Sequence, residues 1–245
     1  MKYKTYVVSL PERTDRRDVV KLYYPFEDME IVDAYSPDKI PDKYNVLWDN
    51  DEFPDIPKAK ACFASFCETF KRIAEGDEEW GIFACDDTIF HPNIVKILDT
   101  WNPPKDCGFI AFNNFSERAR SIQQVLDKVY IERGDYTFYY NLKEVTIDET
   151  WGILGAIRKE CAKMLYDKMM NRVTTMGERS VKGWTVRVDW AIGLLFNYNR
   201  VMAPYKLYQP EKPLAFDSGL LAEVQSSSIS HYIIDDNDKL QVITK

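Results

Sequence analysis

Trp80-Gly-Ile-Phe-Ala-Cys-Asp-Asp-Thr-Ile-Phe90 is the stretch whose reading decides the fold of this chain. The apolar run Ile82 to Cys85 reads as a buried strand. It delivers two adjacent carboxylates, Asp86 and Asp87, and an apolar pair follows them. A buried strand that ends in acids is a common way for an α/β protein to bring a metal to the edge of its sheet. Neighbouring carboxylates repel one another and favour a counter-cation. On these residues alone, a plain turn out of the strand at Asp87 or Thr88 is the simpler account.

Working outward, apolar runs alternate with helical patterns, the mark of an α/β fold. Tyr6 to Leu10 and Ile31 to Ala34 read as strands. Residues 36 to 58, with four prolines and many acids, read as an irregular loop. Ala59, Cys62, Phe63, Phe66, Phe70, Ile73 and Ala74 follow helical spacing up to Gly76. His91-Pro92 opens a short helix through Leu98, with proline in the first turn. Gly108 to Phe112, Val145 to Ile147 and Gly152 to Ile157 read as strands. Helices are expected from Lys159 to about Met170 and from near Asp189. Residues 1–233 read as one domain, and 234–245, rich in Asp and Lys, as a surface tail.

Composition narrows the class. With 45% hydrophobic and 29% charged residues, a 245-residue chain buries an ordinary core in one large domain or two small ones. A net charge of -7 argues against binding nucleic acid over the whole surface. Cys62, Cys67, Cys85, Cys107 and Cys161 are odd in number and lack C-x-x-C spacing, which disfavours a disulfide framework or a zinc knuckle. The opening residues are too short in apolar length for a signal peptide, and no stretch is long enough to span a membrane. A cytoplasmic protein is expected.

Other groups of residues could join the acidic pair. Ser9-Leu-Pro-Glu-Arg-Thr-Asp-Arg-Arg17 crowds three arginines at the exit of the first strand, where α/β sheets bind ligands. Arginine offers a planar fork of donors that suits phosphate oxygens, although a solvated helix start also explains the run. Arginines at one strand end and Asp86-Asp87 at another could grip a nucleotide diphosphate and a hard cation such as Mg²⁺ or Mn²⁺. Asp189 is an N-cap by its spacing, or a general base. His91 reads as structural, while His231 could complete a metal site from far along the chain. Arg172, Arg179, Lys182 and Arg187, with Trp184, form a basic loop that either faces solvent or meets an anionic or sugar acceptor.

Several of these segments, in order, resemble glycosyltransferase family 25, the lipopolysaccharide and collagen sugar transferases. Tyr6 to Arg17 is similar to the family's opening strand and its Asn-Leu…Asp-Arg-Arg turn. Lys60 to Phe66 resembles its Gly-Cys-x-x-Ser-His helix, and Trp80 to Ile89 its strand ending in Glu-Asp-Asp. Trp151 to Leu165 resembles its strand-then-helix motif, Val188-Asp189 its Val-Asp, and Pro213-Leu214 with Ser228-Ile229 its closing pieces. The resemblance implies a single GT-A type α/β domain, a central mixed sheet flanked by helices with a Rossmann-like nucleotide-binding half. It also implies a nucleotide-sugar donor such as a UDP-sugar, Mn²⁺ or Mg²⁺, and inversion at the sugar carbon.

Residue by residue, the resemblance makes Asp87 the metal ligand; His231 is a further candidate ligand from the residue reading alone. Ser9, Leu10, Arg13, Arg16 and Asp86 become donor contacts, and Asp189 the base. The implied acceptor is a saccharide or, for a phage enzyme, a hydroxymethylated DNA base. Two positions depart from the pattern: Cys85 stands where the family has Glu, and Phe66 where it has His. A thiol is a poor ligand for Mg²⁺ or Mn²⁺. A metal-dependent nuclease or phosphatase and a non-catalytic saccharide-binding module remain as competing readings.

Overall fold

Tyr3–Ser9 (β1), Met29–Asp33 (β2) and Trp80–Cys85 (β3) pair in parallel in a computed structural model of the chain. That structure describes residues 1–45, 57–91, 93–112, 142–144, 154–171, 192, 195–196, 202–210, 214–217, 230–234 and 240–244. Val7, Ile82, Phe83 and Ala84 are fully buried. A strand covered on both faces needs apolar side chains at successive positions, so the run in β3 is continuous rather than alternating.

The other elements are α1 (Thr14–Tyr23), α2 (Asp42–Asn45), α3 (Pro57–Glu75), β4 (Thr88–Phe90), α4 (Ile94–Thr100), β5 (Cys107–Ala111), β6 (Leu142–Glu144) and β7 (Gly155–Arg158). They continue with α5 (Lys159–Met170), β8 (Lys206–Pro210), β9 (Ala215–Asp217), β10 (Ser230–Ile234) and β11 (Leu240–Thr244). Seven strands form one mixed sheet in the order β2-β1-β3-β7-β5-β8-β6. β7 runs antiparallel to both its neighbours, and β6 antiparallel to β8. Two small pairs, β4 with β9 and β10 with β11, stand apart from it.

Side-chain alternation divides the core between the two faces of the sheet. Tyr6, Val8, Phe83, Phe109 and Ile157 pack with Phe63, Phe66 and Phe70 of α3 and with Cys161 and Leu165 of α5. On the opposite face Ile82, Ala84, Ile110 and Ala156 pack with Ile94, Ile97 and Leu98 of α4 and with Phe26, just beyond α1. This is the arrangement that right-handed crossovers give when the chain leaves β1 for β2 and then returns across it to β3. Gly81 and Gly155 permit close approaches. A Cβ at Gly81 would sit 2.5 Å from the Ile73 side chain, and one at Gly155 would sit 2.3 Å from the Ile110 carbonyl oxygen.

Some expectations shift. The first strand begins at Tyr3 rather than Tyr6, and the second spans Met29–Asp33. The proline-rich stretch contains a 3-10 turn at Pro37–Lys39 and the short α2, and the long helix starts at Pro57. The helix after His91 begins at Ile94 and continues to Thr100. Leu240–Thr244, expected within a surface tail, pairs antiparallel with β10. The strand expected over 145–147, the basic loop 172–187 and the helix start at Asp189 lie outside the described residues. Among the described residues no helix is long and apolar enough to cross a membrane.

Candidate active site

The strand order 2-1-3 is what positions the site. The chain departs from β1 in opposite directions to reach β2 and β3, and open α/β sheets take ligands at such a reversal, here at the carboxyl ends of β1 and β3. The register brings those ends level: Ser9 pairs with Asp33 and Val8 with Cys85. Asp86 extends the ladder by one bond, its amide donating to the Val8 carbonyl at 3.1 Å. Asp86 and Asp87 therefore leave the sheet directly beside Ser9.

At that point β1 and α1 converge on the acidic turn. The Ser9 hydroxyl donates to Asp86 Oδ2 at 2.7 Å. Arg16, on the first turn of α1, donates from Nη1 to Asp86 Oδ1 at 2.9 Å and to Asp87 Oδ2 at 3.4 Å. Burial disfavours the Arg16 charge, but Asp86 and then Asp87 outweigh it and raise its pKa above the ordinary arginine value. Arginine thus supplies the counter-cation that adjacent carboxylates require. Asp86 is only 7% exposed and both of its oxygens are engaged, so it anchors the turn from within.

The remaining arginines of the run shape the exit from β1. Arg13 forms a two-pronged pair with Asp15, Nε to Oδ1 at 3.1 Å and Nη2 to Oδ2 at 3.0 Å, and this holds the Asp15 carboxyl below its ordinary range. Arg17 donates to the Leu10 carbonyl at 3.1 Å, the Ser9 carbonyl at 2.8 Å and Asp33 Oδ1 at 2.6 Å, tying the ends of β1 and β2 together. Leu10 takes part through its main chain. Arg17 lies in the motif that sequence reasoning singled out, yet its role at the strand ends emerges only from the pairing of β1 with β2.

Tyr24 carried no sequence signal and also reaches the turn. Its hydroxyl donates to the Cys85 carbonyl and accepts from the Thr88 amide, each at 3.0 Å. Burial pushes that hydroxyl well above the ordinary tyrosine value, helped by the charges of Asp87 and Asp86. Thr88 closes the other side, its Oγ1 accepting from the Cys85 amide at 3.1 Å.

Of the remaining candidates His91, His231 and Asp189, the structure describes the side chain of His91 alone. His91 is 3% exposed, and its Nδ1 accepts from the Asn93 amide at 3.0 Å, a local bond at the start of α4. His231 is on β10, opposite Ile243, and β10 runs close to α1 and β4. Its side chain, like Asp189 as a whole, lies outside the described residues. Cys85 packs against the same apolar cluster that buries Phe66, so both departures from the family pattern fall on one face of β3.

A hard cation fits this donor set in a limited way. Among the described residues no three His, Cys, Asp or Glu side chains are grouped to hold a metal ion. Magnesium commonly takes one or two protein carboxylates and completes its shell with water and substrate phosphates. Asp87, 22% exposed at its side chain, is the carboxylate suited to that arrangement, with Asp86 held behind it.

The sequence model of the family described as glycosyltransferase family 25 (LPS biosynthesis protein) matches residues 2–173, which span β1 through α5 and include every residue of the acidic turn. No curated protein matches the chain.

Proposed function

The chain belongs to glycosyltransferase family 25, and on that premise we propose that it moves a sugar from a nucleotide-sugar donor to a saccharide hydroxyl, inverting the sugar carbon. One observation carries this reading. The Ser9–Arg16–Asp86–Asp87 group lies at the carboxyl ends of β1 and β3, where a diphosphate would meet both a guanidinium and a carboxylate. The parallel β2-β1-β3 unit within a mixed sheet supports a GT-A type domain with a nucleotide-binding half.

Breaking the bond between sugar and diphosphate builds negative charge on the leaving group and positive character on the sugar carbon. Arg16 offers planar donors to that leaving group while Asp86 keeps the guanidinium aimed. Asp87 is the proposed ligand for Mn²⁺ or Mg²⁺, which would neutralise the diphosphate when bound. Asp189, assigned from its Val-Asp motif alone, would take the acceptor proton. A UDP-sugar is the proposed donor. The acidic net charge of -7 favours a saccharide acceptor over DNA.

The test is a panel of nucleotide sugars with Mn²⁺ or Mg²⁺, read as release of nucleoside diphosphate. Wild type should turn over one donor, and Asp87→Ala should lose about a hundredfold or more of that turnover. Metal-independent saccharide binding with no nucleoside diphosphate release, or full turnover by Asp87→Ala, would overturn the reading.

A further inference from the structure

The turn Cys85-Asp86-Asp87-Thr88 carries the two carboxylates between the end of β3 and the start of β4. The Tyr24 hydroxyl bridges its two ends, donating to the Cys85 carbonyl and accepting from the Thr88 amide at 3.0 Å each. We propose that Tyr24 is a positioning residue: a hydroxyl bridging the two ends of the acidic turn that sets where Asp86 and Asp87 meet the donor's diphosphate. The inference rests on the reading of this turn as the donor site.

Its geometry connects the turn to the helix that also carries Arg16. Tyr24 follows the last residue of α1, and its own amide caps the helix by donating to the Val20 carbonyl at 3.1 Å. Arg16 and Tyr24 are eight positions apart, roughly 12 Å along a helix. α1 therefore grips the turn twice: Arg16 holds the carboxylates, and Tyr24 holds the backbone beneath them. The phenol ring is fixed by an edge contact to Phe90, centroids 5.1 Å apart, and Phe90 in turn meets Phe26 at 5.0 Å. An aromatic trio on β4 and the segment after α1 thus orients a hydroxyl that then orients the acids.

A phenol suits this task better than a shorter alcohol. It donates and accepts at once, which a group that bridges a carbonyl and an amide must do.

Tyr24→Phe removes the hydroxyl and keeps the ring, so the core contact to Phe90 survives. The measurements are amide exchange at Thr88 and binding of UDP, GDP and ADP with Mn²⁺, set beside a Leu165→Ala control in the core under α5. Tyr24→Phe should accelerate exchange at Thr88 and weaken the bound nucleoside diphosphate by about tenfold, as the loss of two hydrogen bonds implies. Leu165→Ala should lower Tm while leaving that affinity within about twofold. Wild-type binding that Tyr24→Phe leaves unchanged would overturn the positioning role alone, as would unchanged exchange at Thr88. A wild-type chain that binds none of the three nucleotides would overturn the donor-site reading and this role with it.

Discussion

Ser9, Arg16 and Tyr24 approach the acidic turn from β1, from the start of α1 and from its end, and each holds a different atom of it. Asp86 carries the highest stake because its carboxylate is buried and both oxygens are bonded. Replacing it with Asn keeps the shape but removes the charge that Arg16 was placed to meet. Asp86→Asn should cost about 2 kcal/mol of unfolding free energy, and Ser9→Ala about 1 kcal/mol. Because the two share one carboxylate, the double variant should cost less than the sum, measurable by urea denaturation. Strict additivity would mean the Ser9–Asp86 bond contributes nothing. The thiols give a second check at this scale. Burial pushes Cys67 and Cys161 well above the ordinary value and Cys107 to about 12, whereas Cys62 and Cys85 are partly exposed. Iodoacetamide at pH 8 should therefore label Cys62 and Cys85 in the native protein and spare the other three. A bound donor should protect Cys85 selectively, since it precedes Asp86; equal protection of Cys62 would point to general tightening instead.

Among the elements, two glycines test how closely the layers approach. A Cβ at Gly155 would press on the Ile110 carbonyl oxygen in the neighbouring strand, which cannot retreat without breaking the β5–β7 pairing. At Gly81 the obstacle is the Ile73 side chain of α3, which has rotamers to yield. Gly155→Ala should thus destabilise by about 3 kcal/mol and Gly81→Ala by about 1–2 kcal/mol, compared by thermal unfolding. Equal costs would mean that the sheet yields as readily as a side chain. The same elements explain what could be read in advance. The helix α5 begins at the expected Lys159, and α3 lies within two residues of its periodic pattern, because long amphipathic segments signal their own period. The β10–β11 hairpin was hidden by Asp235, Asp236, Asn237, Asp238 and Lys239, whose charge reads as a tail. Its signal was the pair of apolar runs, Tyr232 to Ile234 and Leu240 to Ile243, on either side of them. Within the site, the strand-end acids and the arginine run were legible as motifs. The Arg16–Asp86 pair was not, since it depends on the register of β1 against β3, and Tyr24 has no local pattern that marks it.

For the molecule as a whole, one chain of charges joins elements that the apolar core leaves at the surface. Lys4 on β1 meets Glu30 on β2 at 2.9 Å, and Glu30 meets Arg72 on α3 at 2.5 Å. Arg72 approaches Glu68 at 3.9 Å, and Glu68 accepts from Lys43 at 3.1 Å and from the Tyr44 hydroxyl at 3.0 Å on α2. Burial alone would raise the pKa of Glu30 and Glu68. Lys4 and Arg72 reverse this for Glu30, and Lys43 and Tyr44 for Glu68, so both fall below the ordinary 4.5. The sign follows from linkage: a carboxylate with a depressed folded pKa stabilises the native state above its unfolded value and loses that contribution as pH drops through the folded one. The urea midpoint should accordingly stay level from pH 7 to about 5 and decline below about 4.5, where unfolded glutamates take up protons first. In a Glu30→Gln, Glu68→Gln variant the midpoint should be lower at pH 7, the acid decline shallower, and the gap to wild type closed near pH 3. Added salt should narrow the pH 7 gap, because these pairs are only partly buried. A gap that persisted unchanged at pH 3 would assign the loss to packing around Tyr44 and α3 rather than to charge.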